Sequence, residues 1–495
     1  MMRKEKLWLF VAFSLVLLCA AYVEGGQAST DLPMEAFSDM RDVPMDGRDV
    51  SSLPGHEDSG VQEQSYLPRE RTGRLPKELP NHPLTLRETI DYGLAHNRIL
   101  MSARQDVSAA GSQVRQAKAD FYPKLDSSYS VTHMNEQPFV IIQNNEIPTS
   151  NTTLNRWEID LSQPLFTGFA LTSQLNISKL DQEVAGYRLE ETRLNVIRDI
   201  QRAFFQVLLG EKLVQVAKDN VKSLEVHRKN AEAQFQQGLT AENDVLKADV
   251  ALAQAQQQER ATLKQLVIVR SRLNQLLDLD LETPLVVEEG DIRPRPAPEL
   301  SELFVSAEKQ RPEYLALEKA IEQTDENVKV VRSRYYPQVS AFAQYYREGK
   351  DFLAETNDFT NSENAMVGLK VDWNWFEGGK TRAAIQELGY RRKSLEEKRR
   401  DLLQQIRIQV EDAYEQLRVA GANIETARTA LSQAQENERM TTLQYKEQLV
   451  IFLEVLNAQV FMAQSRADYF QALYGYQLAW ADLERAVGNS VIPKE

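Results

Sequence analysis

The chain has 495 residues, a formal net charge of −14, 42% hydrophobic residues and one cysteine, Cys19. An acidic balance of this size excludes nucleic acid and anionic lipid surfaces as electrostatic partners. If the segment carrying Cys19 is removed, no thiol remains, which suits an oxidising compartment.

In chain order, residues 3–24 read as a secretory signal. Arg3, Lys4 and Lys6 precede an apolar run from Leu7 to Leu18, and small residues follow. Cleavage after Ala21 or Ala28 would make 1–28 the signal peptide; an uncleaved anchor is the alternative. Leu18 stands where a lipoprotein signal needs a small residue before its cysteine. Residues 29–83 are rich in Pro, Asp, Gly and Ser without periodicity, and are expected to be a disordered extension. Beyond the signal no run reaches the roughly 18 apolar residues of a spanning helix, so any membrane crossing falls to strands.

The first repeat is expected over 84–278. Leu86, Ile90, Leu94, Val107 and Val114 predict an opening helix over 84–120, ended by Pro123. The period then changes to two. Strands are expected at about 124–133 and 154–165, with Trp157, Ile159 and Leu161 facing away from Glu158, Asp160 and Ser162. A polar loop, 134–153, separates them. The turn Pro164-Leu-Phe166-Thr-Gly168 leads to a long helix over about 171–236, a break at 237–240 and a returning helix. Residues 279–299 hold prolines incompatible with a continuous helix and form an inter-repeat linker. The second repeat, 300–489, has the same order. Its strands are expected at about 338–346 and 365–376, its turn at Phe376, Gly378 and Gly379, and its long helix at 383–446. Residues 490–495 form a tail.

The halves repeat at a fixed spacing. Phe166/Phe376, Gly168/Gly378, Gln234/Gln444, Leu239/Leu449 and Leu273/Leu483 are all 210 residues apart, whereas Tyr122-Pro123 answers Tyr336-Pro337 at 214. One inserted residue rotates a helix face by about 100°, so the four-residue change belongs in a loop. Strands of about ten residues, apolar on one face and charged on the other, fit a barrel wall with lipid outside and water inside. Four strands cannot close a barrel, so several chains must contribute. At about 1.5 Å per residue, each long helix spans roughly 100 Å.

Glu377-Gly378-Gly379-Lys380-Thr381 is not a phosphate loop, because Asn374 stands where the first glycine belongs. The histidines show no ligand spacing, and neither catalytic residues, metal nor cofactor is expected. The informative polar residues flank the helix breaks: Asp244 and Glu454 occupy equivalent positions. In a symmetric assembly each forms a carboxylate ring that favours cations; alternatively both are acids favoured at a helix N-terminus.

In order and in two copies, the Tyr-Pro pairs, the Pro164–Gly168 turn, the Gly238-Leu239-Thr240 break and the Val-Leu-x-Ala strings at 245–248 and 455–458 resemble the outer-membrane channel family typified by TolC. The resemblance runs from about 84 to 489. It implies a mainly α fold with a membrane β-barrel: a homotrimer with a 12-stranded barrel continuous with a 12-helix periplasmic tunnel. It implies a passive exit duct for efflux or type I secretion in the outer membrane lipid, docked on a periplasmic adaptor and an inner-membrane pump. Carried over by position, Asp244 and Tyr445 form a gate link, with Glu454 and Asn457 as pore rings. Gly238, Leu239, Thr240, Leu449 and Val450 form adaptor-docking tips. Val450 and Asn457 depart from the family pattern, where an arginine and a second acid can stand. A periplasmic coiled-coil adaptor and a structural coiled-coil surface protein are the alternatives.

Overall fold

The structure, a computed structural model, describes residues 82–290 and 295–488. The signal segment with Cys19, the extension up to residue 81, Asn489 and the tail lie outside the described residues.

The first half begins with α1 (Leu86–His96), whose Thr85 and Glu88 form a reciprocal capping box. A second helix, α2 (Arg98–Ala119), follows. The single opening helix expected over 84–120 is therefore two. Asn97 breaks it: its Oδ1 accepts from the Ile99 and Leu100 amides, and its Nδ2 donates to the Leu276 carbonyl. Strands β1 (Lys124–His133) and β4 (Thr153–Phe166) flank a short ribbon, β2 (Phe139–Ile142) and β3 (Asn145–Pro148). This ribbon was not legible in the 134–153 loop. Gln143 and Asn144, at φ 52° and 69°, make the tight turn that closes it. The chain continues through α3 (Ala170–Gln236) and α4 (Glu242–Leu276).

The second half comprises α5 (Leu300–Gln310), α6 (Pro312–Arg332), β5 (Gln338–Gly349), β6 (Glu363–Asp372), α7 (Lys380–Lys446) and α8 (Phe452–Val487). Its α5–α6 break, at Arg311, matches that at Asn97. Arg311 Nη1 donates to the Ala486 carbonyl as Asn97 Nδ2 does to that of Leu276, so each returning helix ends against the break in the opening helices of its own half. The strand expected over 365–376 stops at Asp372. Its counterpart β4 runs on to Phe166 because β5 supplies Val339 as a partner, whereas Asp372 pairs with Gln338, the first residue of β5.

The four main strands form one antiparallel sheet in the order β1-β4-β5-β6, with β1 and β6 as unpaired edges. Leu125 pairs with Leu161, Leu161 with Ala343 and Ala343 with Val367, so an apolar row crosses all four strands on one face. Leu125, Val131, Val367, Leu369 and Val371 on that face are all exposed. The opposite face carries Asp126, Asp160, Glu158 and Arg156. A sheet with its greasy side bare and its charged side inward is inverted relative to a water-soluble one, as a barrel wall in lipid requires.

Packing concentrates where the halves meet. Ile200, Phe204, Val207, Leu273 and Tyr474 centre one buried cluster, which the inter-repeat segment joins through Leu285 and Val287. There Leu84 forms a parallel bridge with Val287. A second cluster joins α5, α7 and α8 around Ile406, Val410, Trp480 and Leu483. No helix of the described residues is long and apolar enough to cross a membrane.

Candidate functional site

The long helices run from the sheet to paired tips, where α3 turns into α4 and α7 into α8. Each turn is a Schellman cap, which ends a helix by placing one residue in the left-handed region. In the first, Gly238 N–H donates to Phe235 O (2.9 Å) and Leu239 N–H to Gln234 O (2.9 Å). In the second, Gln448 N–H donates to Tyr445 O (3.0 Å) and Leu449 N–H to Gln444 O (2.8 Å). Leu239 and Leu449 are left exposed at 59% and 73%, with Ile451 beside them at 64%. Thr240 and Val450 are half-buried on the same turns. The apolar side chains at both tips are thus left uncovered within the single chain.

Behind the tips Phe452, Leu456, Leu224, Ala231 and Ala248 pack the two hairpins together, with Tyr445 against them. The Tyr445 ring lies 5.4 Å from that of Phe452, centroid to centroid. Its hydroxyl donates to Gln234 Oε1 at 2.6 Å. Burial, and then the facing Asp244 carboxylate, push the Tyr445 pKa up, so the hydroxyl stays a donor. The structure thus brings the two expected gate residues together, but directs the tyrosine proton to Gln234. Asp244 itself accepts from Thr240 Oγ1 (2.8 Å) and pairs with Lys247 Nζ (3.3 Å). It also sits in the first turn of α4, as Glu454 does in α8, where the helix dipole favours an acid. Glu454 and Asn457 are exposed one turn apart on one face of α8.

Further up, more links tie α3 to α8. Gln459 Nε2 donates to Asn220 Oδ1 (3.2 Å), Arg466 pairs with Asp219 (2.9 Å) and Arg202 with Asp482 (2.9 Å). His227 is buried between the hairpins. Burial holds its pKa down; Glu438 opposes this and Lys446 adds to it. Sequence reasoning singled out none of these contacts. The only signal was Gln234, visible as a repeat anchor with Gln444 but without a role.

At the other end of the long helices, the strand-to-helix turns differ. Pro164 precedes a register shift in β4, and Phe166, Phe169 and Tyr336 stack edge to face. Gly168, at φ +62°, lies so close that an added Cβ would meet Ser333 O at 2.6 Å. In the second turn Gly378 and Gly379 have open space, and Trp375 and Phe376 are exposed at 81% and 86%. Asn374 and Thr381 both donate to the Glu377 carboxylate, so an acid fills the place where a phosphate would need donors. No cluster of metal-ligating side chains exists among the described residues.

A duplicated strand-and-long-helix chain with an open sheet, apolar on its bare face, is the architecture of an outer-membrane channel protein. The chain belongs to the outer membrane efflux protein family, whose model matches residues 90–278 and 303–489. It is similar to Protein CyaE of Bordetella pertussis, 24% identical over 408 residues, covering 80% of this chain and 81% of that protein. It also resembles the cobalt-zinc-cadmium resistance protein CzcC of Cupriavidus metallidurans, 21% identical over 435 residues, covering 87% and 94%. Its fold matches the solved CmeC outer membrane channel of Campylobacter jejuni with a TM-score of 0.71 at 16% identity, covering 82% of this chain and 86% of that one. The family is one of outer membrane efflux proteins rather than enzymes, and the chain is a channel protein of the outer membrane.

Proposed function

We propose that three copies assemble into the passive exit duct of a tripartite efflux or type I secretion system. Three four-stranded sheets make a twelve-stranded barrel, and the helices continue it as a tunnel into the periplasm. Residues 84–278 and 300–489 act as the two half-units that each protomer contributes. The observation that carries this reading is the open sheet with its apolar face bare, joined to 67-residue helices in both halves.

The exposed tips around Gly238, Leu239, Leu449 and Val450 would meet a periplasmic adaptor, which couples the duct to an inner-membrane pump. Tyr445, Gln234 and Asp244 hold the two hairpins together at the tip, and Glu454 with Asn457 lines the constriction. Opening swings α7 and α8 outward and breaks the Tyr445–Gln234 bond. The duct supplies a water-filled path and the pump supplies the energy. Electron microscopy of the detergent-extracted protein tests this: a threefold particle about 140 Å long, from helix plus barrel, supports it. A particle soluble without detergent, or without threefold symmetry, overturns it.

A further inference from the structure

The repeat lets contacts within one chain be carried to contacts between copies. Inside the chain, late elements of the first half (β4, α3) pack against elements of the second (β5, α6, α8). The equivalent elements of the second half are β6 and α7, and among the described residues no third half covers them. Sheet edge β6 is unpaired, and the long helix α7 buries few of its residues whereas α3 buries many. A ring of identical copies supplies the missing half.

Resting on the trimeric reading above, we infer the residue register of that seam: β6 pairs with β1 of a second copy, Leu369 opposite Val131 and Val371 opposite Tyr129, while Asp412 on α7 meets Arg272 on α4 of that copy. The strand register follows from the observed pairs Ile159↔Tyr345 and Leu161↔Ala343. Adding 210 to the first member and subtracting 214 from the second gives the seam pairs. All four resulting residues lie on the apolar face, so the register keeps lipid-facing side chains together; a slip by one residue would not.

The helix contact rests on an independent observation. Within the chain Arg202 and Asp482 form an ion pair at 2.9 Å. The residues 210 positions away are Asp412 and Arg272, so the mapped pair has its charges reversed but still complementary. Both are exposed in the single chain. Two substitutions at once in a repeat, each of which alone would place like charges opposite, are what a real contact between these positions requires. The same shift brings Tyr122 of the second copy against Gly378, as Tyr336 packs on Gly168 here. That gives the otherwise open glycine turn a neighbour.

The test is a double-cysteine chain, Leu369→Cys with Val131→Cys, in a Cys19→Ser background, oxidised in detergent. The control is Leu369→Cys with Tyr129→Cys, two residues out of register. Disulfide geometry is strict, so the matched pair is expected to give on the order of tenfold more inter-chain cross-link. More cross-link from the control, in particles that are still trimeric, overturns the register while the trimeric reading stands. Monomers by mass photometry of the reduced protein overturn the trimeric reading itself. For the helices, Asp412→Arg and Arg272→Asp should each lower the temperature at which the trimer dissociates, and the double reversal should restore it. A double variant no better than the worse single overturns the helix contact.

Discussion

The two halves of the chain solve the same backbone problem with different residues, and the contrast separates what the fold demands from what the local sequence allows. Four left-handed positions recur at the repeat spacing: Gly168 and Gly378, Phe169 and Gly379, Gly238 and Gln448, Asp278 and Gly488. Each of the last three pairs has one glycine and one residue with a side chain, for which this conformation is less favourable. The neighbours explain two of the choices. Gly488 has the Gln310 carbonyl 3.3 Å from where a Cβ would sit, so a side chain there would be crowded as well as strained. Asp278, half-buried, instead pairs with the exposed Arg98. Phe169 trades its strain for edge-to-face contacts with Phe166 and Tyr336. Geometry is conserved between the halves; the side chain follows what lies beside it.

The turns after β4 and β6 give the largest expected difference. Gly168→Ala drives a Cβ into Ser333 O and strains a φ of +62°. The combined cost is about 3 kcal/mol, visible as loss of folded protein in heat-modifiable gel mobility. Gly378→Ala has only its φ of +58° against it within its own chain and should cost about 1 kcal/mol there. An excess in the assembled protein reports packing from a second copy. Equal losses in both variants, in every state, would break the distinction between the turns.

The next effect lies at the tips. Tyr445→Phe removes the donor to Gln234 while keeping the ring against Phe452. A lost hydrogen bond of about 1 kcal/mol raises the open population about fivefold, read as resting conductance in planar bilayers. Asp244→Ala should act in the same direction by removing the carboxylate that anchors Thr240. Unchanged conductance in both removes these residues from the gate.

His227 adds a pH dependence to the first hairpin that the second lacks, because its counterpart at the repeat spacing is Asn437. Burial holds the imidazole below its unfolded value of about 6.5. The unfolded chain therefore takes up the proton first. The stabilising contribution of the neutral ring is present above that pH, and is lost as pH falls toward the folded value. Amide exchange in residues 221–231, corrected for intrinsic rates, should quicken from about pH 7.5 to about pH 5. His227→Leu should flatten that dependence; an unaltered pH profile would rule out the imidazole as its source.

Much of this was legible before any coordinates, and for a physical reason. A gapless repeat marks helices of matched length, since insertions rotate faces, and period-two alternation placed the strands. The four-residue change in spacing falls between β1 and β4, where the β2–β3 ribbon sits. The breaks at Asn97 and Arg311 were hidden because helical periodicity continues on both sides; only the carbonyls of Leu276 and Ala486 explain them. Gln234 was equally opaque. Its role comes from Tyr445, 211 positions away, and no local pattern encodes so distant a partner.

The smallest effect is the most direct test of the two-half comparison. Gln448, at φ 58°, occupies the place that Gly238 fills in the first tip, with the same pair of cap hydrogen bonds. Left-handed strain at a non-glycine residue costs about 1–2 kcal/mol, while glycine adds about 0.5–1 kcal/mol of unfolded-state entropy. The difference makes Gln448→Gly stabilising by about 0.5 kcal/mol, and Gly238→Gln destabilising by a similar amount. Neither site has a crowded neighbour to blur the result: Gln448 is exposed, and a Cβ at Gly238 would meet nothing within 4 Å. Native-state amide exchange at Leu239 and Leu449, whose N–H groups close the two caps, reads both changes. Opposite signs at the two tips would show that the halves share one backbone requirement. Equal signs would mean that Gln448 is held by a contact the first tip does not make.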